Sequence, residues 1–156
     1  MTDNKSDVAG VIALPPLIYA AFTIMGFAID WVWPVALLPN TTQFVLAGLS
    51  IVAGVALAAW SLPQFAKLGT SVNVYRPTTA LITTGPYRFS RNPLYLSLAL
   101  LQVGIAFAAD SVWVMVLLAP TLMLVSHGVI RREESYLTAK FGDDYRRYCA
   151  KVRRWL

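Results

Sequence analysis

Charged positions along this chain are separated by long apolar stretches. None falls between Asp7 and Asp30, between Asp30 and Lys67, between Arg91 and Asp110, or between Asp110 and Arg131, leaving uncharged runs of 22, 36, 18 and 20 residues. A helix needs about 20 apolar residues to cross roughly 30 Å of hydrocarbon, and only helices or closed barrels satisfy their backbone groups there. Each run holds one crossing. The 36-residue run is too long for one span and too short for two with a loop. Its first part, Trp31 to Asn40, carries Trp31, Trp33, Pro34 and Pro39 and reads as an aromatic interfacial loop. The pattern predicts helices near 9–29, 42–61, 93–109 and 111–130. The fold class is all-α: a polytopic membrane protein with about four transmembrane helices, a cytosolic loop and C-terminal amphipathic helices.

Within this frame, Pro15-Pro16 predicts a kink or local unwinding near the cytoplasmic start of the first helix, because each proline removes a backbone donor. Gly48 and Gly54 predict close helix contact in the second. The third and fourth helices form a tight hairpin through Asp110. Beyond Ile130 the helix continues as RREESYLTAKFG, with Gly142 as its C-cap and Asp143 opening a second short helix. Leu137, Phe141, Tyr145, Tyr148, Val152 and Trp155 recur at steps of three and four. That stripe can lie along the headgroups or fold back over the preceding loop, and as a bare pattern it favours the headgroups. The loop itself, about thirty residues from Pro63, is broken by Gly69, Pro77, Gly85, Pro86 and Pro93. Its five aromatics give it the composition of a packed segment.

Composition agrees: 57% hydrophobic and 13% charged residues, with a mean hydropathy of +0.58, are too apolar for a soluble domain, where about a quarter of residues are charged. Lys and Arg fix the orientation. Lys5 precedes the first helix; Lys67, Arg76, Arg88 and Arg91 lie in the long loop; the other eight follow Ile130. All fall on alternate connections, which predicts both termini in the cytoplasm. In a prokaryote the membrane is the inner one. The net charge of +5 needs no nucleic acid, since basic segments beside a bilayer meet anionic headgroups at about 1 kcal/mol per cation. The hydrophobic stretch at the N-terminus is too long for a cleavable signal. One cysteine and one histidine exclude an internal disulfide and a zinc site, so no metal is expected. Cys149 reads as a bystander and His127 as a hydrogen-bonded interior group.

Two clusters carry possible chemistry: Gly85-Pro86-Tyr87-Arg88 with Arg91-Asn92-Pro93-Leu94-Tyr95, and Arg131-Arg132-Glu133-Glu134. An antiparallel hairpin brings them to one end. A turn opening a helix, with its guanidinium and backbone N–H groups, suits a carboxylate, and adjacent glutamates suit hydroxyls or an amine. The plainer alternative makes Arg88 and Arg91 topology determinants, pairs the glutamates with Arg131 and Arg132, and leaves Pro93 as a first helical residue.

LITTGPYRFSRNPLY, a hydrophobic hairpin and REESYLTAKFGDDYRRYCAKVRRWL together resemble the isoprenylcysteine carboxyl methyltransferase and phospholipid methyltransferase superfamily, over roughly residues 60–156. The chain, without internal repeats, reads as a single domain with scaffold helices over 1–61; the resemblance implies a cofactor-binding loop, hairpin and C-terminal helices over 62–156. It implies a helical methyltransferase using S-adenosylmethionine at the cytosolic membrane face. Gly85, Tyr87, Arg91, Asn92, Pro93, Tyr95, Glu133 and Glu134 would frame the cofactor, Arg91 and Glu134 would be catalytic, and Tyr145 would help line the pocket. Asn92 stands where the prenylcysteine enzymes commonly carry histidine. The Gly-x-Gly of phosphatidylethanolamine methyltransferases corresponds loosely to Lys67-Leu68-Gly69.

The acceptor implied is lipophilic, an isoprenylcysteine-like carboxylate or a lipid, reaching the site sideways from the bilayer. The rival is a non-catalytic membrane protein of the same fold that binds a lipid or protein partner. A transporter fits less well, because only His127 and Asp110 lie near membrane depth. Acceptor atom and oligomeric state stay open.

Overall fold

A computed structural model describes residues 8–38 and 41–156. Lys5, Pro39 and Asn40 lie outside the described residues. All regular structure among the described residues is helical: α1 (Pro15–Val32), α2 (Thr42–Lys67), a short 3-10 turn (Gly85–Arg88), α3 (Pro93–Ala108), α4 (Val112–Val116), α5 (Leu118–Val125), a π-helical turn (Ser126–Ile130) and α6 (Arg131–Lys151).

Three helical stretches are long and apolar enough to cross a membrane: α1, α2 and the rod that starts at Val112, whose helix runs on into α6 as far as the break at Gly142. The apolar part of the rod ends at Ile130, and the charged part begins at Arg131. At 16 residues, α3 reaches roughly 24 Å, short of a full hydrocarbon core. It packs along α2, with Ser97 and Gln102 buried between helices. Leu17, Ile24, Phe44, Leu49 and Val52 point outward from α1 and α2, an apolar exterior that lipid solvates.

Several expected details shift. The first helix begins at Pro15 rather than near residue 9, because a proline at the first helical position gives up an N–H that would be unpaired anyway. Pro15-Pro16 therefore start the helix instead of kinking it. Residues 9–14 lie against the π turn: the Ile12 amide donates to the Gly128 carbonyl at 3.3 Å, and Ile12 fills the space where a Gly128 side chain would stand. The second helix runs through Pro63 to Lys67, six residues past its expected end at 61. Neighbouring side chains reach back to the helix carbonyls there, Ser61 Oγ to Leu57 at 2.7 Å and Gln64 Nε2 to Trp60 at 3.3 Å.

Gly54 makes a close contact: a Cβ there would stand 3.0 Å from the Ser97 carbonyl oxygen of α3. Gly48 does not, with nothing within 4 Å. The tighter crossing is at Gly104 of α3, where a Cβ would meet Ile51 Cγ1 at 2.5 Å. Asp110 turns the α3–α4 hairpin at φ 51°, and its Oδ1 accepts from the Leu37 and Leu38 amides at 2.9 and 3.0 Å. His127 is hydrogen-bonded, Nδ1 to the Met123 carbonyl at 2.8 Å, but it faces outward rather than into the interior.

Gly142, at φ 54°, breaks α6, and the chain after it doubles back. Tyr145, Tyr148 and Val152 pack with Leu81, Leu137, Phe141 and Cys149, while Trp155 joins the core around Ile18 and Val129. The aromatic stripe thus closes over the long loop rather than facing the headgroups. Burying it needs an apolar partner, and Leu81 of the loop is one.

Candidate functional site

The turn before α3 is built from the backbone outward. Gly85 sits at φ 61°, and a Cβ there would lie 2.9 Å from Gln64 Cδ, so this position takes glycine for conformation and for space. Thr84 Oγ1 donates to Gln64 Oε1 at 3.1 Å and ties the loop to the end of α2. Tyr87 is buried edge-on against Phe65, with centroids 5.9 Å apart, and its carbonyl accepts from the Tyr148 hydroxyl at 2.7 Å. Burial pushes the Tyr87 phenol far above its usual range, keeping it protonated. Pro93 opens α3 at its first position, fully buried.

Two carboxylates meet this turn from the first turn of α6, and their surroundings differ. Glu134 is clamped between guanidiniums: Arg91 Nη1 stands 3.0 Å from Oε1, while Arg154 Nε and Nη2 reach Oε1 and Oε2 at 3.0 and 2.5 Å. Arg91 Nη1 also donates to Cys149 Sγ at 2.8 Å, and Arg91 Nε is buried without a partner. Glu133 is met instead by a hydroxyl, Tyr95 Oη donating to its Oε1 at 2.7 Å. The Tyr95 carbonyl in turn accepts from Tyr19 of α1 at 3.0 Å. Burial pushes the Glu133 carboxyl up from 4.5 to about 7; the Tyr95 hydrogen bond pulls it down and the charge of Glu134 pushes it further up.

These groups form the polar end of a cavity of about 580 Å³, a volume typical of small-molecule sites. The rest of its wall is largely apolar, including Leu14, Leu62, Phe65, Leu98 and Leu101. Of the residues expected from sequence, Tyr87, Arg91, Asn92, Tyr95, Glu133, Glu134 and Tyr145 line it. Gly85 and Pro93 do not; they shape the turn that presents their neighbours. The Arg91 amide is taken by the Arg153 carbonyl at 3.0 Å and the Asn92 amide by Ser90 Oγ at 3.1 Å, so neither N–H is offered to a ligand. Asn92 Nδ2 donates to the Arg154 carbonyl at 2.9 Å.

The plainer pairing with Arg131 and Arg132 does not form for Glu134, and Arg132 instead donates to the Gly10 carbonyl at 2.8 Å. Sequence reasoning missed Arg154, which nothing in the string of eight tail cations singles out. It also missed Tyr148 as a lining residue and the loop stretch 70–74, where Thr70, Val72 and Asn73 close one side. Gly69, at φ 61°, turns the chain into that stretch.

Residues 42–144 match the phospholipid methyltransferase family. An uncharacterised protein of Haemophilus influenzae is 42% identical over 65 residues, 40% of this chain and all of its own length. The nickel-cobalt-cadmium resistance protein NccN of Alcaligenes xylosoxydans xylosoxydans is 38% identical over 74 residues, 46% of this chain and 35% of its own, so the match spans about a third of that protein. No solved structure matches the chain.

Proposed function

Because this chain belongs to the phospholipid methyltransferase family, we propose that it is a membrane methyltransferase using S-adenosylmethionine to methylate a lipophilic acceptor, with an amine-bearing lipid favoured over a carboxylate. One observation carries the reading: a 580 Å³ cavity that is apolar along most of its wall ends in two adjacent carboxylates of unequal surroundings, Glu134 held by arginines and Glu133 by a hydroxyl. Such an end suits a cation and polar hydroxyls; such a wall suits acyl or prenyl chain.

When bound, S-adenosylmethionine supplies an electrophilic methyl group already activated on a sulfonium. The residues present fit it. Glu133 offers the charge that complements a sulfonium, and Arg91, with a buried Nε lacking a partner, offers a donor to a carboxylate. Tyr87, Tyr95 and Tyr145 supply aromatic surface.

The chain's own work is orientation, exclusion of water and handling of one proton, and alignment in a dry pocket supplies several kcal/mol. A carboxylate acceptor needs no base and would be repelled by Glu133. An ammonium must lose a proton, and a carboxyl near 7 is suited to accept one.

The test is calorimetric titration with S-adenosylmethionine in detergent, followed by labelled-methyl transfer to total lipid and to prenylcysteine analogues. Binding with label in an amine lipid is expected. Label in prenylcysteine alone reassigns the acceptor, and absence of binding removes the enzyme reading. Arg91→Ala or Glu133→Ala in folded protein should abolish binding or turnover.

A further inference from the structure

Glu134 is shared by two concave surfaces. One is the cavity; the other is a shallow groove behind it, lined by Arg131, Ser135, Thr138, Arg146 and Arg154. Arg154 lines the groove and not the cavity, so its guanidinium reaches Glu134 from outside.

The backbone of the same segment is laid over the turn before α3. The Arg153 carbonyl accepts from the Arg91 amide at 3.0 Å, and the Arg154 carbonyl accepts from Asn92 Nδ2 at 2.9 Å and Ser90 Oγ at 3.4 Å. Trp155 anchors the far end in the core between α1 and the rod. Residues 152–155 thus form a strap stitched to 90–92 by backbone and to α6 by an ion pair. Two positive groups meet the one carboxylate of Glu134, while Glu133 beside it meets a hydroxyl.

Resting on the methyltransferase reading above, we propose that Arg154 is a positioning residue. By gripping Glu134 from outside the cavity it holds that carboxylate against Arg91, locks the strap over the site and leaves Glu133 to balance a cationic ligand. Asn92 belongs to the same device: its amide holds the strap, a task that needs no titrating ring.

The test uses the full chain in detergent and two ligands that differ in charge at one atom, S-adenosylmethionine with its sulfonium and S-adenosylhomocysteine with a neutral thioether. Arg154→Ala should weaken both equally, about tenfold or more, as loss of a supporting partner does. Glu133→Gln should weaken the sulfonium ligand selectively. Arg154→Ala placed in a Glu134→Gln background should add little, because the two share one interaction. Arg154→Lys, a conservative point charge without the fork, should restore part of the loss.

A ligand-independent readout comes from Cys149, the sole cysteine, half-buried beside Arg91. Its rate of labelling by N-ethylmaleimide should rise about tenfold in Arg154→Ala as the strap opens, and stay at the native rate in the exposed control Arg147→Ala. Native labelling in both Arg154→Ala and Asn92→Ala, or additive losses in the double variant, would overturn the proposal. If the native chain binds neither ligand, the methyl-donor reading fails, and the labelling rates still decide whether Arg154 holds the strap.

Discussion

The Tyr95 hydroxyl donates to Glu133 at 2.7 Å, joining the first turn of α3 to the first turn of α6 across the polar end of the cavity. The groups that bear on Glu133 set a pH dependence: burial and the charge of Glu134 favour its protonated form, and Tyr95 favours the ionised one. With a carboxyl near 7, Glu133 is protonated in acid and charged in base. Affinity for a sulfonium ligand should therefore fall as pH drops below about 7, approaching tenfold per pH unit, and level off above it. Titration of S-adenosylmethionine across this range checks it. S-adenosylhomocysteine should show a flatter profile, and Glu133→Gln should remove the dependence.

Tyr95→Phe keeps the ring and removes the donor. Because that hydrogen bond stabilises the ionised carboxylate, its loss moves the titration midpoint upward and lowers sulfonium affinity at pH 7 by roughly three- to tenfold. At pH well above the new midpoint most of the affinity should return. A loss that is equal at every pH would mean that Tyr95 acts by packing alone.

What was legible in the sequence follows from which properties are local. Charge-free runs and turn residues are local, so the helical class, the Asp110 hairpin and the arrival of the Arg91 and Glu134 clusters at one end could be read, though not the ion pair they make. Which face of a helix meets its neighbour is not local. Gly48 and Gly104 look alike in the string, yet one faces open space and the other Ile51. Pro15 and Pro63 show the same limit from the other side: one starts a helix, the other is absorbed inside one. Arg154 was hidden because its role depends on the Gly142 break and on the extended exit at Val152, which aim one of many tail cations back at α6.

The α2–α3 crossing supplies a stability test. Gly104→Ala would press a methyl group to within 2.5 Å of Ile51 Cγ1, with the Ile51 amide nitrogen at 3.1 Å and the Ala47 carbonyl oxygen at 3.2 Å. The helices must separate or Ile51 must move, at a cost of about 1–3 kcal/mol. Thermal unfolding in detergent should show a clear drop for Gly104→Ala and no loss for Gly48→Ala, where nothing lies within 4 Å. Equal behaviour of the two variants would remove this packing account.

Gly85→Ala tests whether the turn's glycine serves the backbone or a ligand. At φ 61° an L side chain costs about 1–2 kcal/mol, and the new methyl meets the Gln64 side chain at 2.9 Å. Stability should fall in the absence of any ligand. Adding Gln64→Ala should recover the steric part and leave the part due to φ. A variant with native stability but lost ligand affinity would instead make Gly85 a contact residue.

Orientation can be read by chemical access. Lys67, Arg76, Arg88 and Arg91 share the end of the bundle that holds Glu134 and the tail, whereas Asp30, Asp110, Trp33 and Trp113 sit at the other end, where Trp113 Nε1 donates to the Trp33 carbonyl at 2.6 Å. The rule that cationic connections stay inside predicts that the first group faces the cytoplasm, where a soluble methyl donor would be found. In a Cys149→Ser background, an impermeant maleimide should label Val35→Cys in intact cells and Lys151→Cys only after permeabilisation. The reverse pattern would place the Glu133–Glu134 end on the outer face, and a cytosolic methyl donor could not reach it.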